Sequence, residues 1–198
     1  MKIAFIGTHG VGKTTLCFEL AARLKRLDLS VDIVKEVARL CPLPINQDTT
    51  LQAQSWILHS QIAAEIVAAS RFQAIVCDRS VIDNYAYLVH RVGTRPNLEP
   101  LIQEWAQSYD GLFKVPICAP PSFDGTRDLS TTFQHEIDAL VEETLQRLEI
   151  RCTRLLPQER PDWLVKVLRA LGLPEQAPQY DLFSAGAPAE RAAKTESE

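Results

Sequence analysis

Eight residues near the start of the chain have the types and spacing needed to hold a phosphate group. They are Gly7-Thr8-His9-Gly10-Val11-Gly12-Lys13-Thr14, and they fit the pattern G-x-x-x-x-G-K-[ST] at every fixed position. A loop that wraps a phosphate with its own N–H groups has no room for side chains, which explains the glycines. The predicted helix that starts at Lys13 adds the positive end of its dipole.

The two side chains at the end of this loop supply the ionic chemistry. Lys13 is expected to reach the β- and γ-phosphates of ATP, and the Thr14 hydroxyl is expected to ligate Mg²⁺. We expect His9 to fill only a permissive position of the loop. The predicted cofactor-binding set comprises Gly7, Thr8, His9, Gly10, Val11, Gly12, Lys13, Thr14 and Thr15.

Asp78 follows an apolar run, AIVC, that reads as a buried strand. An acid at the carboxyl edge of a sheet can hold Mg²⁺ through water or accept a proton from an attacking hydroxyl, so Asp78 is a candidate for both roles. The alternative is a helix N-cap for the stretch starting at Val81, which Ser80 serves equally well. Arg79 would face the same cleft as a phosphate or substrate clamp, or else form a surface ion pair.

Three further charged residues are candidates at predicted strand ends. Glu36 and Arg39 lie just past the second strand, where the carboxylate could orient or deprotonate a substrate hydroxyl and the guanidinium could bind an anion. The alternative for both is a solvated helical turn. Arg127 lies in a polar segment, FDGTRD. It could be the charged residue of a loop that closes over the phosphates. The alternative is an ordinary surface loop.

Short apolar runs that alternate with helical periodicities must position these side chains. Strands are predicted at 2–6, 31–34, 74–77, 112–117 and 151–155, and helices at 13–27, 48–70, 81–91, 98–108, 131–148 and 161–172. Asp48 is the predicted N-cap of the second helix, and Pro161 opens the last one. This alternation predicts an α/β fold in three layers, with a parallel sheet and helices on both faces.

The composition of the chain disfavours nucleic-acid-binding and membrane-spanning proteins. The 198 residues carry a formal net charge of −4, which gives no excess of positive charge for a nucleic-acid backbone. No apolar run approaches the roughly 20 residues that span a bilayer, so no membrane partner is expected. Five isolated cysteines favour reduced thiols and a cytoplasmic location. We expect one domain over 1–173, with a lid at about 119–130, and a disordered polar tail over 174–198.

Taken together, these segments resemble the P-loop nucleoside and nucleotide kinases. The resemblance rests on GTHGVGKTT, on Glu36-x-x-Arg39, on Asp78-Arg79-Ser80 with the following Asp83 and Tyr85, and on FDGTRD. It is strongest toward the branch that contains ribosylnicotinamide kinase domains and small AAA-type ATP-binding proteins.

The resemblance implies a P-loop NTPase fold whose five-stranded parallel sheet has the order 2-3-1-4-5. It also implies ATP as phosphoryl donor, an acceptor hydroxyl near Glu36 or Asp78, and Arg127 in a lid. Arg39, Arg79, Asp83 and Tyr85 would bind the acceptor.

Two functions remain open from the sequence. The first is a kinase that transfers the γ-phosphate of ATP to a small metabolite, for which a nucleoside or nucleotide is expected. The second is an ATP-binding regulatory or partner-binding protein with little or no kinase activity, which the sparsely charged lid favours; a simple ATPase is a third idea. The apolar helix faces line either a core or the seam of a homodimer.

Overall fold

Five parallel strands form one sheet in the order β2-β3-β1-β4-β5. The computed structural model describes residues 1–123 and 128–176. The strands are β1 (Lys2–Ile6), β2 (Val31–Val34), β3 (Ala74–Asp78), β4 (Gly111–Lys114) and β5 (Thr153–Arg154). The predicted fold class and strand order are confirmed, with the strand that precedes the glycine-rich loop in the centre of the sheet.

Six α-helices cover the sheet in the described part of the chain. They are α1 (Lys13–Lys25), α2 (Leu51–Ala69), α3 (Val81–Val92), α4 (Glu99–Ala106), α5 (Thr131–Arg147) and α6 (Trp163–Ala170). Short 3-10 helices occupy Val37–Leu40, Asn46–Asp48 and Pro157–Asp162. In the described residues, no helix has both the length and the apolar character needed to cross a membrane.

The central strand β1 sends alternate side chains into two separate cores. Ile3 and Phe5 pack in the core that contains the buried faces of α1 and α6. Ala4 and Ile6 pack in the core formed with α2, α3, α4 and α5. Because successive side chains of a strand point to opposite faces, a strand covered by helices on both sides must be apolar throughout. The three layers follow from this pattern.

Two predicted helix boundaries are wrong, each for a local reason. The second helix begins at Leu51, because the side chain of Thr50 accepts the N–H of Ala53 at 3.2 Å and caps it. Asp48 ends the preceding 3-10 helix instead. Pro161 lies in a 3-10 segment, and the last α-helix begins at Trp163.

The strand register brings the candidate residues to one edge of the sheet. Phe5 on β1 is level with Asp78 on β3, so the loop after β1 and the end of β3 leave the sheet side by side. Val34 on β2 is level with Cys77, which places Glu36 at the same edge. Of the predicted lid and tail, positions 124–127 and 177–198 lie outside the described residues, and Arg127 is among them.

Candidate active site

The glycine-rich loop depends on backbone conformations that side chains disfavour. Gly7, Gly10 and Gly12 have φ angles of 133°, 76° and 95°. A Cβ atom at Gly7 would lie 2.7 Å from the carbonyl oxygen of Val115, at the end of β4. This glycine is therefore required both by its conformation and by the close approach of the neighbouring chain.

Lys13 is buried at the base of the loop. Its Nζ donates hydrogen bonds to the carbonyl oxygens of Gly7 at 2.8 Å and Thr8 at 2.5 Å. Burial, and then the nearby Arg79 guanidinium, lower the pKa of Lys13 from 10.5 to about 8. A phosphate ligand would offer this ammonium group stronger acceptors than the two carbonyls.

Thr14 and Asp78 meet where α1 begins and β3 ends. The Thr14 hydroxyl donates to Asp78 Oδ2 at 2.6 Å, and both residues line the same cleft. A hydroxyl beside a carboxylate is the oxygen chemistry that Mg²⁺ accepts, with phosphate oxygens and water completing the shell. Among the described residues no cluster of three or more His, Cys, Asp or Glu side chains forms a ready metal cage. The residues therefore fit a magnesium ion held jointly with a nucleotide.

Arg79 is held in a strained backbone conformation beside this pair. Its φ of 93° lies in a region that non-glycine residues rarely adopt. The side chain is 8% exposed, and its Nε donates to Glu36 Oε1 at 2.7 Å. Its guanidinium carbon lies 4.9 Å from the centre of the Tyr87 ring. Within the described part of the chain the buried Nη1 has no hydrogen-bond partner, so one cationic donor remains for a ligand.

Glu36 lies between two arginines. Its Oε2 accepts from Arg39 Nε at 2.9 Å while Oε1 accepts from Arg79. Burial alone would raise the pKa of this carboxyl, but Arg79, Lys13 and Arg39 outweigh burial and lower the pKa from 4.5 to about 2. Glu36 is therefore a fixed anion at neutral pH. The predicted grouping of Glu36, Arg39 and Arg79 near Asp78 is present in the structure.

These groups line one cleft of about 260 Å³. Its lining includes two buried amide side chains that were not anticipated from the sequence: Gln54, which is 3% exposed, and Asn84, which is 2% exposed. Gln54 Oε1 and Asn84 Nδ2 are buried and have no hydrogen-bond partner in residues 1–123 and 128–176, although Gln54 Nε2 donates to Thr49 Oγ1 at 2.8 Å. A polar residue on the buried face of the apolar helix α2 was the available signal for Gln54.

Asp83 and Tyr85, which were predicted to bind the acceptor, are not among the described residues that line the cleft. Asp83 is fully buried, and it accepts the N–H groups of Gly7 at 2.6 Å and Ser80 at 2.8 Å. Together with Ser80 it forms the capping box of α3 and also anchors the loop. The buried Tyr85 donates to Glu99 at 2.8 Å and accepts from the Arg95 N–H at 3.0 Å. Both residues hold neighbouring segments of the chain in place and do not themselves line the cleft.

His9 does more than fill a permissive position. Its Nδ1 lies 3.0 Å from the Tyr87 hydroxyl, and its ring lies 5.4 Å from that of Phe133 on α5. Its carbonyl oxygen accepts Gln134 Nε2 at 2.9 Å. His9 therefore fastens the loop to α3 and α5 while lining the cleft. Thr8, by contrast, has a buried side chain and contributes its carbonyl to Lys13.

Comparison with known proteins identifies the family. Residues 2–161 match the AAA domain family. The structure is similar to that of thymidylate kinase from Ehrlichia chaffeensis, with a TM-score of 0.57 over 78% of this chain and 86% of that chain, at 16% sequence identity. No curated protein matches the chain in sequence. A family match that spans the glycine-rich loop, all five strands and the cleft therefore shows that the chain belongs to the AAA domain family, with the fold of the P-loop nucleotide kinases.

Proposed function

We propose that this protein transfers the γ-phosphoryl group of ATP to a small metabolite, a nucleoside or a nucleotide. The observation that carries the proposal is that two sets of groups line one cleft, and we call these sets the donor half and the acceptor half. One half is the glycine-rich loop with Lys13, Thr14 and Asp78. The other half comprises buried polar atoms that have no hydrogen-bond partner among the described residues, which is the property of a preformed ligand site.

The donor half fits the needs of phosphoryl transfer. Transfer proceeds through a loose transition state, so positioning and charge neutralisation supply most of the catalysis. The loop N–H groups and Lys13 would bind the phosphates, and Thr14 and Asp78 would hold Mg²⁺. The magnesium ion, when bound, supplies positive charge to the phosphate oxygens.

Glu36 is suited to interact with the acceptor hydroxyl, which is the nucleophile of the proposed reaction. A carboxylate whose pKa is about 2 is a weak base, but it is an excellent acceptor of a hydrogen bond from a hydroxyl. We infer that Glu36 orients the acceptor hydroxyl rather than removing its proton before transfer. Asp78, at the carboxyl end of β3, remains the candidate for receiving that proton.

The acceptor half has the chemistry for a flat polar ring. Arg79 Nη1 offers a cationic donor, Asn84 Nδ2 a neutral donor and Gln54 Oε1 an acceptor. Ile45 and Ile57 line the same cleft as apolar walls. A donor and an acceptor in a cleft with apolar lining suit the polar edge and apolar faces of a nucleobase, because a ligand that leaves these amide atoms unpaired loses binding energy.

A thermal-shift screen followed by a turnover assay tests the proposal. The protein is melted alone, with Mg-ATP, and with Mg-ADP plus each member of a nucleoside and nucleotide panel. A ligand at 100 times its dissociation constant adds about 2.7 kcal/mol, which appears as a clear rise in melting temperature. A kinase shows a second shift with one acceptor and converts that acceptor to its phosphate.

Matched variants make the result specific. Lys13→Met should abolish the ATP shift, and Gln54→Leu should abolish only the acceptor shift. An ATP shift without any acceptor shift or turnover would contradict the kinase function and favour an ATP-binding regulatory protein. Absence of an ATP shift would contradict both.

A further inference from the structure

The strained peptide of Arg79 is fixed on both sides by hydrogen bonds. Its N–H donates to the carbonyl oxygen of Phe5 on β1 at 3.2 Å. Its carbonyl oxygen accepts Nε2 of Gln61, on α2, at 3.3 Å. A φ of 93° in a non-glycine residue persists only where the surroundings over-determine it. Gln61 is the side chain that supplies the second constraint.

The amide of Gln61 has only one orientation that satisfies its neighbours. Gln61 is 0% exposed, and its Nε2 also donates to Glu65 Oε1 at 2.8 Å. Both groups that face this nitrogen, the Arg79 carbonyl and the Glu65 carboxylate, are acceptors. A flipped amide would set an oxygen against two oxygens, so the NH₂ group must point toward Arg79.

Glu65 is in turn fixed by donors from three other elements. It is 1% exposed, and Oε1 also accepts the Tyr109 hydroxyl at 2.7 Å. Oε2 accepts Lys2 Nζ at 3.0 Å and Trp105 Nε1 at 2.7 Å. Lys2 is held there by the rings of Trp105 and Tyr109, whose centres lie 4.3 and 4.5 Å from its Nζ. A carboxylate with four donors cannot rotate without losing several charge-assisted bonds.

We propose that Gln61 and Glu65 are positioning residues that set the conformation of Arg79, and through it the pairing of Arg79 with Glu36. Together these contacts form a relay of hydrogen bonds. It runs from Lys2, at the amino end of the sheet, through Glu65 and Gln61 to the peptide that directs the Arg79 side chain into the cleft. Neither Gln61 nor Glu65 lines the cleft. The effect of Gln61 and Glu65 on catalysis rests on the proposed function. Their influence on the conformation of Arg79 does not, because these contacts do not depend on an acceptor.

The test follows the Arg79 Nε–H group directly by NMR. In the wild type this hydrogen is bonded to Glu36 and buried, so it should give a slowly exchanging resonance, which is assigned by its loss in Arg79→Lys. Gln61→Met keeps the length of the side chain and removes the donor. The matched control is Thr144→Val, which also removes one hydrogen bond from a buried side chain to a backbone carbonyl, Thr144 Oγ1 to Leu140 O at 2.7 Å, but on α5.

The relay predicts that the protected Arg79 resonance is lost in Gln61→Met and kept in Thr144→Val. The affinity for Mg-ADP should stay within about threefold of wild type in both variants, since the loop is anchored by Asp83 and not by Gln61. An unchanged Arg79 resonance in Gln61→Met would overturn the proposal, and so would a parallel loss of Mg-ADP binding, which would show general collapse.

Two further measurements keep the test decisive. If Gln61→Met does not fold, the double variant Arg79→Gly/Gln61→Met is made, because glycine needs no support at this φ. Folding of the double variant supports the relay, whereas failure to fold would overturn it, because the core would then require Gln61 for a reason other than Arg79. When the acceptor screen yields a substrate, Gln61→Met should raise its KM at least tenfold with the KM for ATP unchanged. A screen without a substrate counts against the proposed function, and the NMR result still decides the relay.

Discussion

The Thr14 hydroxyl donates a 2.6 Å hydrogen bond to Asp78 Oδ2, although 64 residues separate the two in the chain. The bond links the first turn of α1 to the last residue of β3. It places two candidate oxygen ligands side by side at the loop end, where the β- and γ-phosphates of a nucleotide would lie. The pair is thus the part of the site that should determine how nucleotide binding depends on magnesium.

Removing either oxygen should uncouple nucleotide binding from magnesium. Titration calorimetry of ADP, with Mg²⁺ and with EDTA, measures how much the metal tightens binding. We expect the enhancement in Thr14→Val and in Asp78→Asn to be at least tenfold smaller than in the wild type, a difference of about 1.4 kcal/mol. Metal-free ADP binding should be unchanged or tighter, because neither variant removes a positive charge. An enhancement of wild-type size in both variants would exclude this pair as the metal ligands.

The affinity for Mg-ADP should fall at alkaline pH because of Lys13. In the free protein Lys13 loses its proton above about pH 8, yet phosphate binding needs the cation. The dissociation constant should therefore rise above pH 8, at most about tenfold per pH unit, with uptake of one proton on binding. Calorimetry at pH 7 and 9.5, in buffers of different ionisation enthalpy, measures both effects.

Lys13→Met is the control for this pH dependence. It should bind Mg-ADP more weakly at every pH and show no proton uptake. The same lowered pKa should make the unliganded protein gain stability from this group between about pH 8 and 10.5, since the unfolded chain there holds more protons. Equal wild-type affinities at pH 7 and 9.5 would contradict the assigned role of Lys13.

Part of the acid sensitivity of the fold should come from Glu36. Its pKa is about 2 in the folded protein against an ordinary 4.5, so its stabilising contribution is present above pH 4.5 and is lost as the pH falls toward 2. Between pH 7 and pH 3 this group should cost the fold about 2 kcal/mol. Glu36→Gln should be less stable at pH 7 but should lose about 2 kcal/mol less over that interval in urea unfolding.

A surface carboxylate provides the comparison. Glu143 forms an exposed ion pair with Arg147 at 3.1 Å, of a kind that contributes little. Glu143→Gln should retain the acid sensitivity of the wild type. If Glu36→Gln retains it as well, the three neighbouring cations do not control the Glu36 carboxyl.

The backbone strain at Arg79 should be measurable by comparing two truncations. Arg79→Ala and Arg79→Gly both remove the guanidinium group, but only glycine adopts a φ of 93° without cost. We expect Arg79→Gly to be more stable than Arg79→Ala by about 1 kcal/mol in urea unfolding. At Gln107, where φ is −68°, the order should reverse, with alanine the more stable replacement. The same order at both positions would mean that the conformation at Arg79 is relaxed.

Gly7 should tolerate alanine less well than Gly93 does. Both have positive φ angles, but an added Cβ at Gly93 meets nothing within 4 Å, whereas at Gly7 it meets the Val115 carbonyl oxygen at 2.7 Å. Gly93→Ala should cost about 1 kcal/mol of stability and leave Mg-ADP binding unchanged. Gly7→Ala should cost at least about 1 kcal/mol more, as overpacking does, and weaken Mg-ADP binding. Equal stability losses would show that β4 can move away.

Local signals in the sequence were sufficient for the loop and the elements around it. The fixed glycines, Lys13 and Thr14 follow from one short pattern, because the chemistry of phosphate binding is confined to consecutive residues. The order of strands and helices follows from apolar periodicity in the same way. The boundary errors at Asp48 and Pro161 arose because Thr50 and a 3-10 turn compete with these residues over one or two positions.

The spacing of charged residues in the chain could not show which of them line the cleft and which only hold neighbouring segments in place. Asp83 and Tyr85 follow Asp78 closely, yet α3 turns both away from the cleft, Asp83 toward the Gly7 N–H and Tyr85 toward Arg95. Gln54 and Asn84 carry no charge pattern that would mark them in the sequence. The packing of α2 against α3 makes both line the cleft, and each has a buried amide atom with no partner among the described residues.

The sequence by itself determined the phosphate loop, the α/β class and the set of charged candidates, since each of these depends on neighbours along the chain. Only the tertiary structure decided which candidates meet. Glu36 and Arg79 come from the ends of β2 and β3, and their 2.7 Å contact exists because parallel strands end at one edge of the sheet. The support of Arg79 by Gln61 likewise depends on the packing of α2 against that edge. Such contacts join residues far apart in the chain, and no local pattern encodes them.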